Sequence, residues 1–218
     1  RDVLISGDVA FSLGVPVARG HEHLGVIGRG AMGEVIVARD SILRRAVAVK
    51  RHMGEEGKGQ FLAEAQITAQ LDHPGIVPIY GFEESGEFGY SMKLIAGGTL
   101  ADVVTKARAA HDAGRPLEPG LTLKSRVDFF LRICDAMAYA HARGVVHRDL
   151  KPENIMVGDF NEILVADWGI GHLRKSDDPA PSAESISARS VSEPGLRILG
   201  TPVYMSPEQA YGNAHALL

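Results

Sequence analysis

Val145 to Val157 reads VVHRDLKPENIMV, a polar centre between two apolar runs. It holds a carboxylate (Asp149), an ammonium (Lys151), a proline that fixes the turn (Pro152) and an amide (Asn154). An acid, an ammonium and an amide brought into one short loop between buried segments are the makings of a site. Asp167 ends a second strand-like run and is followed by Trp168 and Gly169. That acid could hold a metal, although alone it reads as an ordinary Asp turn. Upstream, Lys50 ends the strand-like AVAVK, where a lysine is usually solvated. Glu64 falls inside the apolar face of a helical stretch, where a lone carboxylate is costly, and Lys50 is its obvious candidate partner.

These residues need elements to carry them. Leu24 to Ala38, LGVIGRGAMGEVIVA, sets Gly28, Gly30 and Gly33 between two β-prone runs. The plain reading is a hairpin with a glycine-rich turn. The sharper one is a loop whose backbone N–H groups approach anionic oxygens. Two flanking strands argue against a dinucleotide fold, which needs a helix after the last glycine. In AVAVK, alternation puts Ala46, Ala48 and Lys50 on one face and Val47 and Val49 on the other. The small Ala48 leaves room for a flat ligand. Gln60 to Leu71 has helical spacing, with Phe61, Ala65, Thr68 and Leu71 on one face. Two more strand-like runs fill Val77 to Ile95, around an acidic turn at Glu83 to Glu87. A break at Ala96 to Gly98 marks a boundary between lobes.

Beyond it, Leu100 to Ala110 is helical and Ala113 to Gly120 is a loop. Leu123 to Arg143 is a strong helix with Val127, Phe130, Leu131, Cys134, Met137, Ala138 and His141 as its apolar face, ending at Gly144. Ile155 to Val157 and Ile163 to Val165 form a hairpin. Lys175 to Pro194 reads as a mobile loop. GTPVYMSPEQA, Gly200 to Ala210, restores order. The resulting segmentation is a leader over 1–20, a β-rich lobe over 21–95 and a mostly helical lobe over 96–218.

The chain of 218 residues is 45% hydrophobic, 23% charged and carries a net charge of −4. That composition is ordinary for a globular chain and gives no basic footprint for nucleic acid. The single cysteine, Cys134, rules out an internal disulfide framework. No apolar run approaches the roughly 18 residues of a membrane span. The expectation is cytoplasmic, with any membrane anchor outside these residues. The chain begins at Arg1 rather than Met, which points to a fragment or a processed product.

Taken together the motifs resemble those of eukaryotic-type protein kinases, in the flavour of bacterial serine/threonine kinases. The resemblance runs from about Leu24 to the end: GRGAMGEV at Gly28 to Val35, VAVK at Val47 to Lys50, HRDLKPEN at His147 to Asn154, DWG at Asp167 to Gly169, and SPE at Ser206 to Glu208. It implies an α+β, bilobal kinase-like fold and transfer of the ATP γ-phosphoryl to serine and threonine hydroxyls of proteins. It implies Mg²⁺, with Mn²⁺ as an alternative, and autophosphorylation or dimerisation as options. The glycine loop would cover the phosphates, Lys50 held by Glu64 would contact them, and Asn154 and Asp167 would hold the metal. Asp149 would accept the substrate proton, Lys151 would neutralise charge, and Thr201 would join the catalytic group. Adenine would lie among Ile27, Val35, Ala48 and Met156, beside the hinge residues Lys93 and Ile95 and the gatekeeper position Met92. Arg148 would bind a phosphorylated residue, with Ser176, Ser182, Ser185, Ser187, Ser190 and Ser192 on offer.

Trp168 departs from the commoner phenylalanine but keeps a large aromatic ring. Gly171 and His172 continue the chain unusually and are expected to add loop flexibility. After Glu208 the family continues into large helices, so this stretch alone is expected to be poorly stable and weakly active. Two alternatives remain at this stage. One is a pseudokinase-like ATP-binding or scaffolding module, disfavoured by intact Lys50, Asp149 and Asp167. The other is a small-molecule phosphotransferase, disfavoured by the complete GTPVYMSPEQA.

Overall fold

The computed structural model describes residues 21–30, 33–83, 88–168, 172–173 and 200–211. The leader, most of the acidic turn, Gly169, Gly171 and the serine-bearing stretch Lys175 to Pro194 lie outside these, and so do the expectations placed on them. The described residues form two units. One runs up to Lys58 and includes Ile79–Ala96; the other comprises Gly59–Pro78 and the residues from Gly97 onward.

In the first unit, β1 (His21–Gly30), β2 (Gly33–Asp40), β3 (Arg45–His52), β4 (Ile79–Glu83) and β5 (Gly89–Lys93) form one antiparallel sheet in the order β1-β2-β3-β5-β4. The β2–β3 turn is closed by Asp40, whose Oδ1 accepts the N–H groups of Ile42 and Leu43 at 3.0 and 2.9 Å. Ile36, Ala38, Val47 and Val49 pack together as the core of one sheet face. Partners in an antiparallel ladder share a face and neighbours alternate. Register therefore puts Val35, Lys50 and Tyr90 in one row and Val37, Ala48 and Met92 in the next, both on the opposite face. The alternation read from AVAVK is the one observed.

The second unit begins one residue into α1 (Lys58–Ala69), which buries Phe61, Glu64, Ala65, Ile67 and Thr68. After Pro74 the chain runs beside a later strand: Ile76 bridges Val165 in parallel, and Val165 N–H donates to the Gly75 carbonyl at 2.8 Å. A three-stranded sheet follows, β6 (Gly97–Thr99) beside β8 (Ile155–Gly158) beside β9 (Ile163–Val165). Thr99 also caps α2 (Leu100–Asp112) in a reciprocal capping box with Asp102. Thr122 caps α3 (Leu123–Ala142), whose end is turned by Gly144 at φ 73°. β7 (Val145–Val146) pairs antiparallel with β10 (His172–Leu173), so the continuation after DWG includes sheet where loop flexibility was expected. Last comes the short α4 (Pro207–Ala210). Among the described residues no helix is long and apolar enough to cross a membrane.

The expected helix α3 is present, but its buried face is a different one. Phe129, Ile133, Ala136 and Ala140 enter the core with Val145, Ile155, Ile163 and Val165. Of the stripe read from spacing, Val127, Phe130, Leu131, Cys134, Ala138 and His141 are exposed and Met137 is partly buried. The helix carries two apolar stripes, and periodicity does not say which one meets the strands. The chosen stripe has two alanines, which let backbone elements approach closely. Phe129 is 3% exposed and Phe130 63%. Phe129→Ala is therefore expected to cost about 3–5 kcal/mol, and Phe130→Ala no more than about 0.5 kcal/mol. Urea unfolding of the two variants measures the difference, and equal losses would refute the assignment.

Candidate active site

Asp149 lies in the loop between β7 and β8, followed by a 3₁₀ turn over Pro152–Asn154. That turn explains the proline: it sits at the first helical position, where its missing N–H is no loss, and Asn154 N–H closes the turn on the Lys151 carbonyl at 2.9 Å. Four polar side chains then converge. Asp149 Oδ1 accepts Thr201 N–H at 2.8 Å and the Thr201 hydroxyl at 2.7 Å. Lys151 Nζ lies 2.8 Å from Asp149 Oδ2 and donates to Thr201 Oγ1 at 2.7 Å. Asn154 Nδ2 donates to the Asp149 carbonyl at 2.8 Å and to its Oδ2 at 3.3 Å.

Electrostatics follow from this cluster. Partial burial pushes the Asp149 pKa up. The hydrogen bonds from Lys151 and Thr201, with the Lys151 charge, outweigh burial and hold the carboxyl below its usual range. Asp149 is thus ionised at neutral pH. The bonds of Asn154 run through Nδ2 to two acceptors, which fixes the amide orientation and turns Oδ1, a hard donor atom, into the one suited to Mg²⁺.

His147 joins this loop to the second acid. Its ring is buried, accepts Asp149 N–H at Nδ1 (3.2 Å) and bonds the Ala166 carbonyl through Nε2 (3.0 Å). A donor at Nδ1 and an acceptor at Nε2 assign the neutral Nε2–H tautomer, and burial lowers the ring's pKa accordingly. Ala166 also donates its N–H to the Asn154 carbonyl at 2.9 Å, so it is held from both sides. Asp167 follows, exposed and in the left-handed region at φ 61°. Trp168 is fully buried, with its ring centroid 4.6 Å from that of His147. Arg148 is left-handed too, at φ 66°, and half-buried, with burial working against its charge. Two non-glycine residues in this costly region beside the acids are the kind of local strain that clusters at functional sites.

The structure thus brings Asp149, Lys151, Asn154 and Thr201 into direct contact and ties them to the strand end that carries Asp167. Met156 is half-buried on β8, in register with Thr99 and Leu164. The remaining expected residues lie mostly in the first unit. Gly28, Gly30 and Gly33 stand at the facing ends of β1 and β2, with Ile27 exposed at a bulge. A side chain at Gly33 would overlap the Arg51 carbonyl, which accounts for the third glycine. Val35, Ala48, Lys50 and Met92 share one sheet face, whereas Lys93 pairs with Val47 and is on the other. Ile95 follows β5. Glu64 is buried on α1, in the second unit. Sequence reasoning missed His147 as an active partner and Gln209 altogether.

Comparison with known proteins gives the family. The protein kinase domain family matches residues 21–216. The serine/threonine-protein kinase PknD of Protochlamydia amoebophila (strain UWE25) is 36% identical over 217 residues, covering 92% of this chain and 22% of that protein. PknD of Chlamydia trachomatis serovar L2b is 38% identical over 209 residues, covering 88% of this chain and 22% of that protein. The chain therefore spans about a fifth of the length of the curated relatives it matches. With its motifs in order, its α+β elements as expected and nearly its whole length matched, the chain belongs to the protein kinase domain family.

Proposed function

We propose that this chain is the catalytic domain of a kinase that transfers the γ-phosphoryl of ATP to serine and threonine hydroxyls of proteins. The observation that carries the reading is the Asp149–Lys151–Thr201 cluster. Oδ1 of Asp149 already receives two short bonds from Thr201, and Oδ2 receives one short bond from Lys151 and one long bond from Asn154. A substrate hydroxyl replaces the long bond, so Oδ2 is the proton acceptor. As the hydroxyl oxygen bonds to phosphorus, its proton passes to Oδ2 and the bond from the γ-phosphorus to the bridging oxygen breaks, releasing ADP. The Lys151 ammonium stands at Oδ2 and offsets the charge that builds on the transferred group.

Asn154 and Asp167 are the residues to hold Mg²⁺, or Mn²⁺ in its place; the bound ion would neutralise phosphate oxygens. In the first unit, the loop at Gly28, Gly30 and Gly33 is assigned to the phosphates. Lys50 and Glu64 are assigned to the same group. Ile27, Val35, Ala48, Met92, Met156 and the backbone at Lys93 and Ile95 take the adenine. On this reading the lobes are 21–95 and 96–218, the domain is cytoplasmic, and Arg148 reads a phosphorylated residue. Incubating the full-length protein with Mg·ATP and matched serine, threonine and tyrosine peptides tests this. Transfer to serine and threonine, and not tyrosine, is the expected result; no transfer to any peptide would remove the proposal.

A further inference from the structure

Gln209 belongs to none of the groups assigned above, yet it reaches into the catalytic loop. Its side-chain Nε2–H donates to the Arg148 carbonyl at 2.6 Å. That carbonyl and the N–H of Asp149 belong to one rigid peptide plane. His147 Nδ1 holds the N–H end of the plane at 3.2 Å, and Gln209 holds the oxygen end. The plane follows a residue in the left-handed region, a conformation that persists only where surroundings enforce it. Gln209 is itself fixed, since its backbone N–H is taken by the Ser206 hydroxyl that caps α4.

Gly200 completes the arrangement. A Cβ there would lie 2.6 Å from Gln209 Nε2 and 2.8 Å from the Arg148 oxygen, crowding both atoms of the bond from one side. Its φ of 122° favours glycine as well. The next residue, Thr201, bonds the Asp149 carboxylate twice. The segment around Gly200, Thr201 and Gln209 therefore grips Asp149 by its carboxylate and by the peptide plane that precedes it.

We propose that Gln209 is a positioning residue for phosphoryl transfer, holding the Arg148–Asp149 peptide plane so that the Asp149 carboxylate meets the substrate hydroxyl. This rests on the kinase reading above. Gln209→Leu keeps the volume without a donor, Gln209→Glu keeps the shape and presents only acceptors, and Gln209→Lys keeps a donor of similar reach. In the full-length protein the leucine and glutamate variants are expected to lose at least about tenfold in kcat for peptide phosphorylation, because small misplacements of reacting groups are costly. The KM for ATP should stay unchanged, and the lysine variant should recover most of the rate.

Equal losses in all three variants, or a raised KM for ATP, would mean that Gln209 only packs, and would overturn the proposal. Wild-type kcat in the leucine variant would overturn it too, while leaving the kinase reading standing. A wild-type protein that transfers no phosphoryl group would instead remove the kinase reading. In that case amide hydrogen exchange decides the positioning claim. The leucine variant should exchange faster at Asp149 and Thr201 with Ile155–Gly158 unchanged, and identical exchange at both would overturn it.

Discussion

Asp149→Asn is expected to lower kcat for peptide phosphorylation by about 10²–10⁴-fold, the span that a positioned general base supplies. The KM for ATP should remain near its wild-type value. The substitution preserves volume but removes one of the two acceptor oxygens and the charge that the site is built around. Oδ1 faces two donors from Thr201, and Oδ2 faces donors from Lys151 and Asn154. An amide has one oxygen and one NH₂ group, so either rotamer sets a donor against donors. The variant therefore also loosens Thr201 or Lys151, at about 1–3 kcal/mol for each buried polar group left without its partner. Steady-state kinetics with a serine or threonine peptide, calorimetric ATP titration and thermal unfolding separate these effects. A kcat loss of under about tenfold would be smaller than general-base catalysis contributes, and would remove Asp149 as the proton acceptor.

Much of this site was legible in the residues themselves. The acid, ammonium and amide of the Asp149 loop stood between apolar runs, and the fold draws them into hydrogen-bonding contact because a proline-initiated turn is short. Glu64 stood out as an acid within a packed helix face, and it is buried there. Alternation along β3 was also readable, since a strand with a period of two has only two faces. Helix α3 has no such simplicity: two apolar stripes run along it, and the one with Ala136 and Ala140 meets the strands. Thr201 came into view only through resemblance, being fifty-two positions from Asp149. His147 and Gln209 were harder still. Their partners are the backbone carbonyls of Ala166 and Arg148, and every residue has such a carbonyl, so only the tertiary fold selects these two.

Lys151→Met should both slow the reaction and move its acid limit. Removing a positioned charge at a developing anion typically costs about 10²–10³ in kcat, and the Lys151 Nζ is also the donor that orders the Thr201 hydroxyl. The pH effect has a definite sign. Burial raises the Asp149 pKa, and it is outweighed by bonds from Lys151 and Thr201 and by the Lys151 charge. Without Lys151 its hydrogen bond and charge vanish together, burial is opposed by the bonds from Thr201 and the longer one from Asn154, and the pKa rises. Fewer molecules then carry the ionised base at a given acidic pH, so the acid limb of kcat/KM, which reports the free enzyme, shifts to higher pH. Stability follows the same linkage. The depressed folded pKa of Asp149 stabilises the fold above the carboxyl's unfolded value, and that contribution fades as pH falls below it. In the methionine variant the contribution shrinks, so acid unfolding should begin at higher pH. Lys151→Arg restores the charge without the same geometry and should return the acid limb toward wild type while recovering kcat only in part. An acid limb that stays fixed in Lys151→Met would show that Thr201, and not the ammonium, keeps the carboxylate ionised.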